Sequence, residues 1–209
     1  MMSQNVEYEI GKIYDNRFLE FGPRPKASMW FSKKRQYERF EIIFDQVINL
    51  YKLKPISLSD VGCGYGAFLD YLSEKDVEVE WIYSGYDISF EVIKFCKSKF
   101  KRNGSFYRAS IPNYETDFVI MSGTFNFFPD DNFLKWETYF HNALKLMWPK
   151  VSRAMIFNLQ VSNRTRITSG GIVYASSCEV EKFCVNNFGE TRVINNPRIP
   201  NDQTFAVLK

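Results

Sequence analysis

Short apolar segments of strand character alternate with segments of helical period over the last three quarters of the chain. This alternation restricts the fold more than any other feature, because parallel strands need helical crossovers between them. It predicts a doubly wound α/β sheet covered by helices on both faces. Two further strands at the end of the chain should form an antiparallel β-hairpin. The seven predicted strands are 56–61, 80–88, 104–111, 116–125, 153–160, 190–196 and 203–209.

The residues before the first strand divide into two parts. Glycine and prolines interrupt residues 1–32, so this segment is predicted to be an irregular N-terminal extension. Residues 33–51 place apolar side chains at helical spacing and predict an amphipathic helix, so the extension is partly helical. No repeat or linker marks a second domain, and residues 1–209 are expected to form a single domain with its core over 56–209.

Composition narrows the class of protein. A net charge of +3, from 27 basic and 24 acidic side chains, is too small to indicate nucleic acid as a partner. The four cysteines form no CxxC pair, which predicts reduced thiols and no metal site. No signal pattern or apolar run of the ~18 residues that cross a bilayer is present. We expect a cytoplasmic protein without a membrane partner, and the oligomeric state stays open.

The stretch SDVGCGYGAFLDYL, residues 59–72, joins the first strand to a helix through three glycines at alternate positions. A phosphate-binding loop would need a lysine before the helix, which this stretch lacks. A dinucleotide loop needs GxGxx[GA], and Gly62, Gly64 and Ala67 satisfy that spacing, with Asp87 in place of the ribose acid. Binding of NAD by an oxidoreductase is therefore one alternative.

S-adenosylmethionine (SAM) is the other candidate ligand, and it carries an ammonium and a sulfonium but no phosphate. The acid and glycines Asp60, Gly62, Gly64 and Gly66 resemble motif I of the class I SAM-dependent methyltransferases. Asp60 would lie at the cofactor's ammonium, where a dinucleotide fold usually has an apolar residue. Asp87 would accept hydrogen bonds from both ribose hydroxyls. The two acids favour SAM.

The predicted terminal hairpin supports the same resemblance, which covers about residues 33–209. It implies a Rossmann-like sheet, SAM as cofactor and S-adenosylhomocysteine (SAH) as product. A non-catalytic SAM-binding module remains an alternative. In the part of the pocket nearest the nucleoside, the resemblance implies roles for Ile88 beside the ribose and for Ser110 and Ile111 beside the adenine.

Further segments resemble small bacterial methyltransferases that are encoded with polysaccharide- and sugar-modifying enzymes. The matching residues are Trp30, Gln36, Arg39, Phe40 and the segment SGTFN at 122–126. The resemblance implies that Arg39 pairs with the methionine carboxylate, with Gln36 one helical turn away on the same face. Ser122 should contact the cofactor, while Trp30 and Asn126 should contact the substrate.

Methyl transfer from a sulfonium requires mainly the alignment of two reactants, so few catalytic groups are expected. His141 and Tyr174 are weak catalytic candidates, since a single histidine on a covering helix is commonly a packed residue. Tyr174 is the better candidate to contact the substrate, because the segment after the fifth strand crosses the pocket mouth. Arg164 and Arg166 either bind an acidic acceptor or are solvated loop charges. Residues 163–174 are a candidate lid.

The predicted function is therefore SAM-dependent methyl transfer to a small molecule. An oxygen is the preferred acceptor atom and a nitrogen the second choice. The resemblance indicates a sugar or a sugar-linked phosphate derivative as the acceptor. Methylation of nucleic-acid bases is disfavoured, because the segment NFFP at 126–129 lacks the paired prolines of those enzymes.

Overall fold

The structure is a computed structural model that describes residues 2–30, 32–51 and 55–209. Two short 3-10 turns, Pro25–Ser28 and Trp148–Lys150, accompany the helices. None of the helices described combines the length and hydropathy needed to cross a bilayer. The helices are α1 (Met2–Phe21), α2 (Lys33–Leu50), α3 (Ala67–Ser73), α4 (Phe90–Lys99), α5 (Phe133–Met147) and α6 (Ser177–Asn187). The strands are β1 (Ile56–Val61), β2 (Trp81–Asp87), β3 (Ser105–Arg108), β4 (Thr116–Ser122), β5 (Val151–Ser162), β6 (Arg166–Ile167), β7 (Val173–Ser176), β8 (Thr191–Asn195) and β9 (Asp202–Leu208).

The main sheet has the order β3-β2-β1-β4-β5-β9-β8. Strand β9 runs antiparallel to both of its neighbours, and the other pairs of this sheet are parallel. The seven predicted strands and the antiparallel hairpin are thereby confirmed. The order reverses between β1 and β4, which places a crevice at the carboxyl end of β1.

Two more strands raise the total to nine among the residues described. Strand β7 lies parallel to the last residues of β5, where Val161 pairs with Ala175, and β6 lies antiparallel to β7. The sequence did not predict them, because β6 has two residues and β7 has four, too few to show a period.

The prediction of an irregular segment over residues 1–32 is wrong, because α1 occupies most of it. Val6, Ile10, Tyr14 and Phe18 follow one another at intervals of four and pack against the two apolar cores. The disrupting residues act only locally: α1 ends just before Gly22, whose φ is +65°, and the prolines lie in the following turn. The helix predicted over 33–51 is confirmed as α2.

Each face of the sheet has its own core, because neighbouring strand residues point in opposite directions. Along β4, Phe118 and Ile120 pack on the face that α2 covers. Val119 and Met121 pack on the face that α5 covers, together with Trp136. At the carboxyl ends of β1, β4 and β5, polar side chains replace apolar ones on the α2 face, and these are Asp60, Ser122 and Asn158. This edge forms the candidate functional site.

Candidate cofactor and acceptor site

The loop after β1 has a shape that only glycine allows at two of its positions. Gly62, Gly64 and Gly66 all have positive φ, at +74°, +53° and +78°. A Cβ on Gly62 would lie 2.6 Å from Thr124 Oγ1, and a Cβ on Gly66 would lie 2.3 Å from Cε2 of Phe100. The predicted role of Gly66 changes accordingly, since it starts α3 and does not line the cleft.

Asp87, the last residue of β2, is fixed by hydrogen bonds from two segments. Its Oδ2 accepts from the Gly64 amide at 3.0 Å, and its Oδ1 accepts from the Ser89 amide at 2.9 Å. Burial raises the pKa of this carboxyl, although the two amides oppose that shift. Asp87 therefore connects the glycine loop with the start of α4, at the edge of the cleft.

Asp60 is the most deeply buried acid of the cleft, with 2% of its surface exposed. The Tyr83 hydroxyl donates to its Oδ2 at 2.5 Å. Burial, together with the nearby charge of Asp87, raises the pKa of Asp60 to about 7, although the hydrogen bond from Tyr83 opposes the shift. No cation pairs with it among the residues described. A buried carboxylate without a cation costs free energy that a bound ammonium would offset.

These groups surround a cleft of about 1100 Å³ beyond the carboxyl ends of β1 and β2. Besides Gly66, two predicted cofactor residues lie outside it: Arg39, and Ile111, which packs against the apolar core while Ala109 lines the wall. The predicted residues that do line the cleft are Gln36, Asp60, Gly62, Gly64, Asp87, Ile88, Ser110 and Ser122.

The N-terminal extension forms one wall of the cleft, which the sequence did not predict. Glu7, Ile10 and Tyr14 of α1 and Ser28 of the following turn line its wall. At Gly11 the helix passes the loop after β2, where a Cβ would be in ordinary van der Waals contact with the carbonyl oxygen of Ile88, at 3.4 Å. The apolar residues spaced by four in α1 were the signal that could have identified this wall.

A second cavity, of about 640 Å³, adjoins the cofactor cleft. Four residues line both spaces: Tyr14, Ser28, Trp30 and Gly123. The polar residues that line only the second cavity are Arg35, Arg39, Asn126, Gln160 and Asp202. Trp30 and Asn126, the two predicted substrate residues on this side, therefore lie together at one cavity.

Arg39 belongs to the second cavity, where it is largely buried. Its guanidinium pairs with the Asp202 carboxylate and stacks on Trp30, with 4.3 Å between the guanidinium carbon and the ring centroid. Burial lowers the pKa of Arg39 and raises that of Asp202 to about 6, while each partner opposes the other's shift. The contact between Arg39 and the methionine carboxylate remains a prediction.

Four other candidate residues lie outside both cavities. His141 stacks on Phe183 with 3.5 Å between ring centroids, and burial lowers its pKa to about 4. Tyr174 packs under the guanidinium of Arg166 at 4.3 Å, and Arg164 is exposed. Helix α5 places His141 against Phe183 of α6. Arg166 and Tyr174 lie on β6 and β7, and Arg164 lies in the loop before β6, all outside the cleft.

The segment predicted as a lid, 163–174, is tied to the loop after β4. The Phe128 amide donates to the Gly171 carbonyl at 2.8 Å, and the Val173 amide donates to the Asn126 carbonyl at 3.0 Å. A Cβ on Gly171 would be 2.7 Å from the Phe128 carbonyl oxygen. In this structure the segment is a hairpin packed beside the second cavity, and its movement stays a prediction.

Comparisons with known proteins agree with this geometry. Residues 59–144, from the glycine loop through α5, match the family described as a methyltransferase domain. A protein of Mycobacterium tuberculosis, provisionally named as a methyltransferase, is 27% identical over 140 residues, which are 66% of this chain and 83% of that protein.

Solved structures share the fold at low sequence identity. A SAM-dependent methyltransferase of Leishmania major superposes with a TM-score of 0.70 at 12% identity, over 94% of this chain and 81% of that one. A magnesium protoporphyrin IX methyltransferase of Synechocystis with bound SAM gives 0.59 at 14%, over 84% and 79%. An amino pentose methyltransferase of Micromonospora echinaspora with bound SAM gives 0.59 at 12%, over 83% and 92%.

The sheet order, the two acids at the glycine loop and the matched domain define the class of enzyme: a SAM-dependent methyltransferase of Rossmann-like fold. Its cofactor is SAM and its product SAH. The cleft fits this cofactor, since Asp60 provides a buried carboxylate for the ammonium and Asp87 lies at the end of β2, where the ribose would bind. The NAD alternative is not favoured.

Proposed function

We propose that this enzyme transfers the methyl group of SAM to an oxygen, or as second choice a nitrogen, of a small molecule held in the second cavity. The observation that carries the proposal is the contact between the two cavities at Tyr14, Ser28, Trp30 and Gly123. An in-line displacement needs the acceptor atom within about 3–3.5 Å of the methyl carbon. A ligand in each cavity would meet the other at this boundary.

The residues of the cofactor cleft act by holding and orienting SAM. Asp60 would pair with the ammonium and Asp87 with the ribose hydroxyls, while Gln36, Ile88, Ser110 and Ser122 would line the remaining wall. Bound SAM supplies an electrophilic methyl group on a sulfonium. The protein's contribution is then mainly alignment and exclusion of water by α1, which covers the cleft.

A sugar or a sugar-linked phosphate derivative is the acceptor we propose. Support comes from a sequence resemblance to methyltransferases that are encoded with sugar-modifying proteins. The residues that carry this resemblance include Trp30, Gln36, Arg39 and 122–126. The amino pentose methyltransferase with the same fold acts on a sugar, but the protoporphyrin methyltransferase shares the fold too. We place the reaction in the cytoplasm, where the free cysteines would stay reduced.

An acceptor screen tests the proposal. The purified chain would be incubated with SAM and a panel of sugars, sugar phosphates, small hydroxy acids and amines, and SAH formation would be measured. Methylation of a hydroxyl compound is expected. SAM binding without SAH formation from any acceptor would instead support a non-catalytic binding module, and salt-dependent binding to RNA or DNA would support a nucleic-acid substrate.

A further inference from the structure

We infer that the second cavity recognises its acceptor through an oxyanion, a carboxylate or a phosphate group, bound by Arg35, Arg39 and Asn126. This inference rests on the proposed function, because it names the class of acceptor for the same cavity. The sequence had placed the anion-binding arginines at 164 and 166, and the structure puts both outside the cavity.

Two hydrogen-bond donors converge on the space above Gly123. The position that a Cβ would occupy there lies 3.0 Å from Nη1 of Arg39 and 3.6 Å from Nδ2 of Asn126. The indole edge of Trp30 approaches the same position to 3.4 Å. Gly123 has a φ of +76° and lines both cavities. Both nitrogens therefore lie beside Gly123, at the boundary with the cofactor cleft, where they are available to an oxygen of an acceptor in the second cavity.

Asn126 has a buried donor without a partner. Its side chain is 7% exposed, and its Oδ1 accepts a hydrogen bond from the Gln160 amide at 3.0 Å. That bond orients the amide group, and Nδ2 has no acceptor in the described part of the chain. Because a buried donor without an acceptor is costly, a ligand oxygen at Nδ2 would be stabilising.

The charges of the cavity also favour an anion. Tyr14, Arg35, Arg39 and Asp202 are the titratable residues that line it. Arg39 and Asp202 neutralise each other, and Arg35 has no carboxylate partner among the residues described. Asp202 brings carboxylate oxygens to the cavity, but Arg39 matches its charge and the apolar walls add no acceptor, so one positive charge, that of Arg35, is in excess. These walls are formed by Met29, Trp30, Phe127, Ile172 and Ile199.

Helix α2 directs its polar side chains to two different cavities. Gln36 lines the cofactor cleft and accepts a hydrogen bond from the Tyr65 hydroxyl at 2.7 Å. Arg35 and Arg39 line the second cavity only. The oxyanion that they bind is therefore assigned to the acceptor and not to the methionine carboxylate, which the resemblance had implied for Arg39.

The test compares ligands that differ in charge but share hydroxyl groups. The full chain saturated with SAH would be titrated with glycerate, glycerol 3-phosphate and glycerol, and tryptophan fluorescence and the melting temperature would report binding. Trp30 lies in the cavity and should respond. At least one of the two anions should bind about tenfold or more tightly than glycerol. Their relative affinities distinguish carboxylate from phosphate recognition.

Variants locate the binding to this cavity. Arg35→Gln removes the unpaired cation. Asn126→Asp replaces the donating amide by a carboxylate of the same shape, which repels a bound anion. Each variant should weaken anion binding about tenfold. Arg166→Gln is the matched control, because it removes one positive charge from an exposed residue outside both cavities. It should leave anion binding unchanged. The SAM affinity of Arg35→Gln and Asn126→Asp should stay within about twofold of the parent.

Three results would overturn the inference while SAH binding is intact: glycerol binding as tightly as both anions, no saturable binding of either anion, or equal losses in Arg35→Gln, Asn126→Asp and Arg166→Gln. A loss of SAM affinity in the Arg35 and Asn126 variants would assign the oxyanion site to the cofactor instead. Failure of the parent chain to bind SAH at all would refute the proposed function, which is a separate outcome.

Discussion

The two carboxylates of the cofactor cleft differ in how the fold satisfies them. Asp87 accepts hydrogen bonds from two backbone amides, so its charge is partly stabilised before any ligand binds. Asp60 has the Tyr83 hydroxyl as its partner and is otherwise enclosed. The sequence predicted both acids from their spacing around the glycine loop. It did not predict this difference, because burial and amide geometry depend on the packed fold.

Asp60 should make the cofactor-free protein less stable as the pH rises. Its folded pKa of about 7 lies above the ordinary value of 3.8, so between these values the folded state binds more protons than the unfolded state. Stability therefore falls with pH across this window, by at most about 1.4 kcal/mol per pH unit for this group. Urea unfolding at pH 5, 6, 7 and 8 would measure the slope. Asp60→Asn should have a shallower slope and greater stability at pH 8.

The same carboxyl should make SAM binding depend on pH in the opposite direction. Only ionised Asp60 pairs with the ammonium, so affinity should rise by up to about tenfold per pH unit toward pH 7 and then level off. Calorimetric titration of SAM into parent and Asp60→Asn protein at each pH checks this. Equal pH dependence in the two proteins would mean that Asp60 does not contact the ammonium.

Gly66 supports the cleft indirectly, through the backbone that begins α3. Alanine at this position would combine a left-handed conformation with a Cβ only 2.3 Å from Cε2 of Phe100. We expect Gly66→Ala to lower the free energy of unfolding by about 2–5 kcal/mol. Gly170→Ala is the control, since Gly170 is exposed and a Cβ there meets nothing closer than 3.9 Å. Similar unfolding midpoints for both variants would contradict the packing argument.

At the scale of elements, α1 shows how a local signal can be misjudged. The prolines and glycine near residue 24 led to a prediction of irregular structure for the whole extension, but they interrupt only the turn that follows the helix. The intervals of four from Val6 to Phe18 were visible in the sequence. Their partners were not, since α1 packs on α4 and closes the cleft through contacts distant in sequence.

Asp15 connects α1 to the first residues of α4, next to Asp87. Its Oδ1 accepts from the Ser89 hydroxyl at 2.5 Å and from the Glu91 amide at 3.1 Å, and the Ser89 amide in turn donates to Asp87. Asp15→Ala should loosen α1 and weaken SAM binding by about tenfold, because a charge-assisted contact is lost. Hydrogen exchange over residues 5–21 and SAM titration would measure both effects.

The variant Asn16→Ala provides the control for this prediction, since Asn16 is the exposed neighbour of Asp15 in the same helix. It should leave both the exchange rates and the affinity for SAM unchanged. Faster exchange in Asp15→Ala with normal SAM affinity would show that α1 covers the cleft without contributing to cofactor binding.

At the scale of the whole molecule, alternation of strands and helices was enough to predict the sheet and the place of the cofactor cleft. It could not predict the second cavity. That cavity is formed by α1, α2, the turn before α2, the loop after β4, the hairpin of β6 and β7, and the residues around the start of β9, which are far apart in the chain. Asp202 reaches Arg39 there because β9 pairs with β5, where Asp202 lies opposite Gln160.

Cofactor binding should be visible in the stability of the entire domain. A ligand at about 100 times its Kd stabilises the folded state by about 2.7 kcal/mol. For a single domain of 209 residues this corresponds to a rise of about 5–11 °C in Tm. SAM and SAH should each produce such a shift in a thermal scan. NAD should produce none, because its diphosphate would lie at the glycine loop, where the acids Asp60 and Asp87 also lie, and because the buried Asp60 suits an ammonium. A shift with NAD but not with SAM would reverse the assignment of the cofactor.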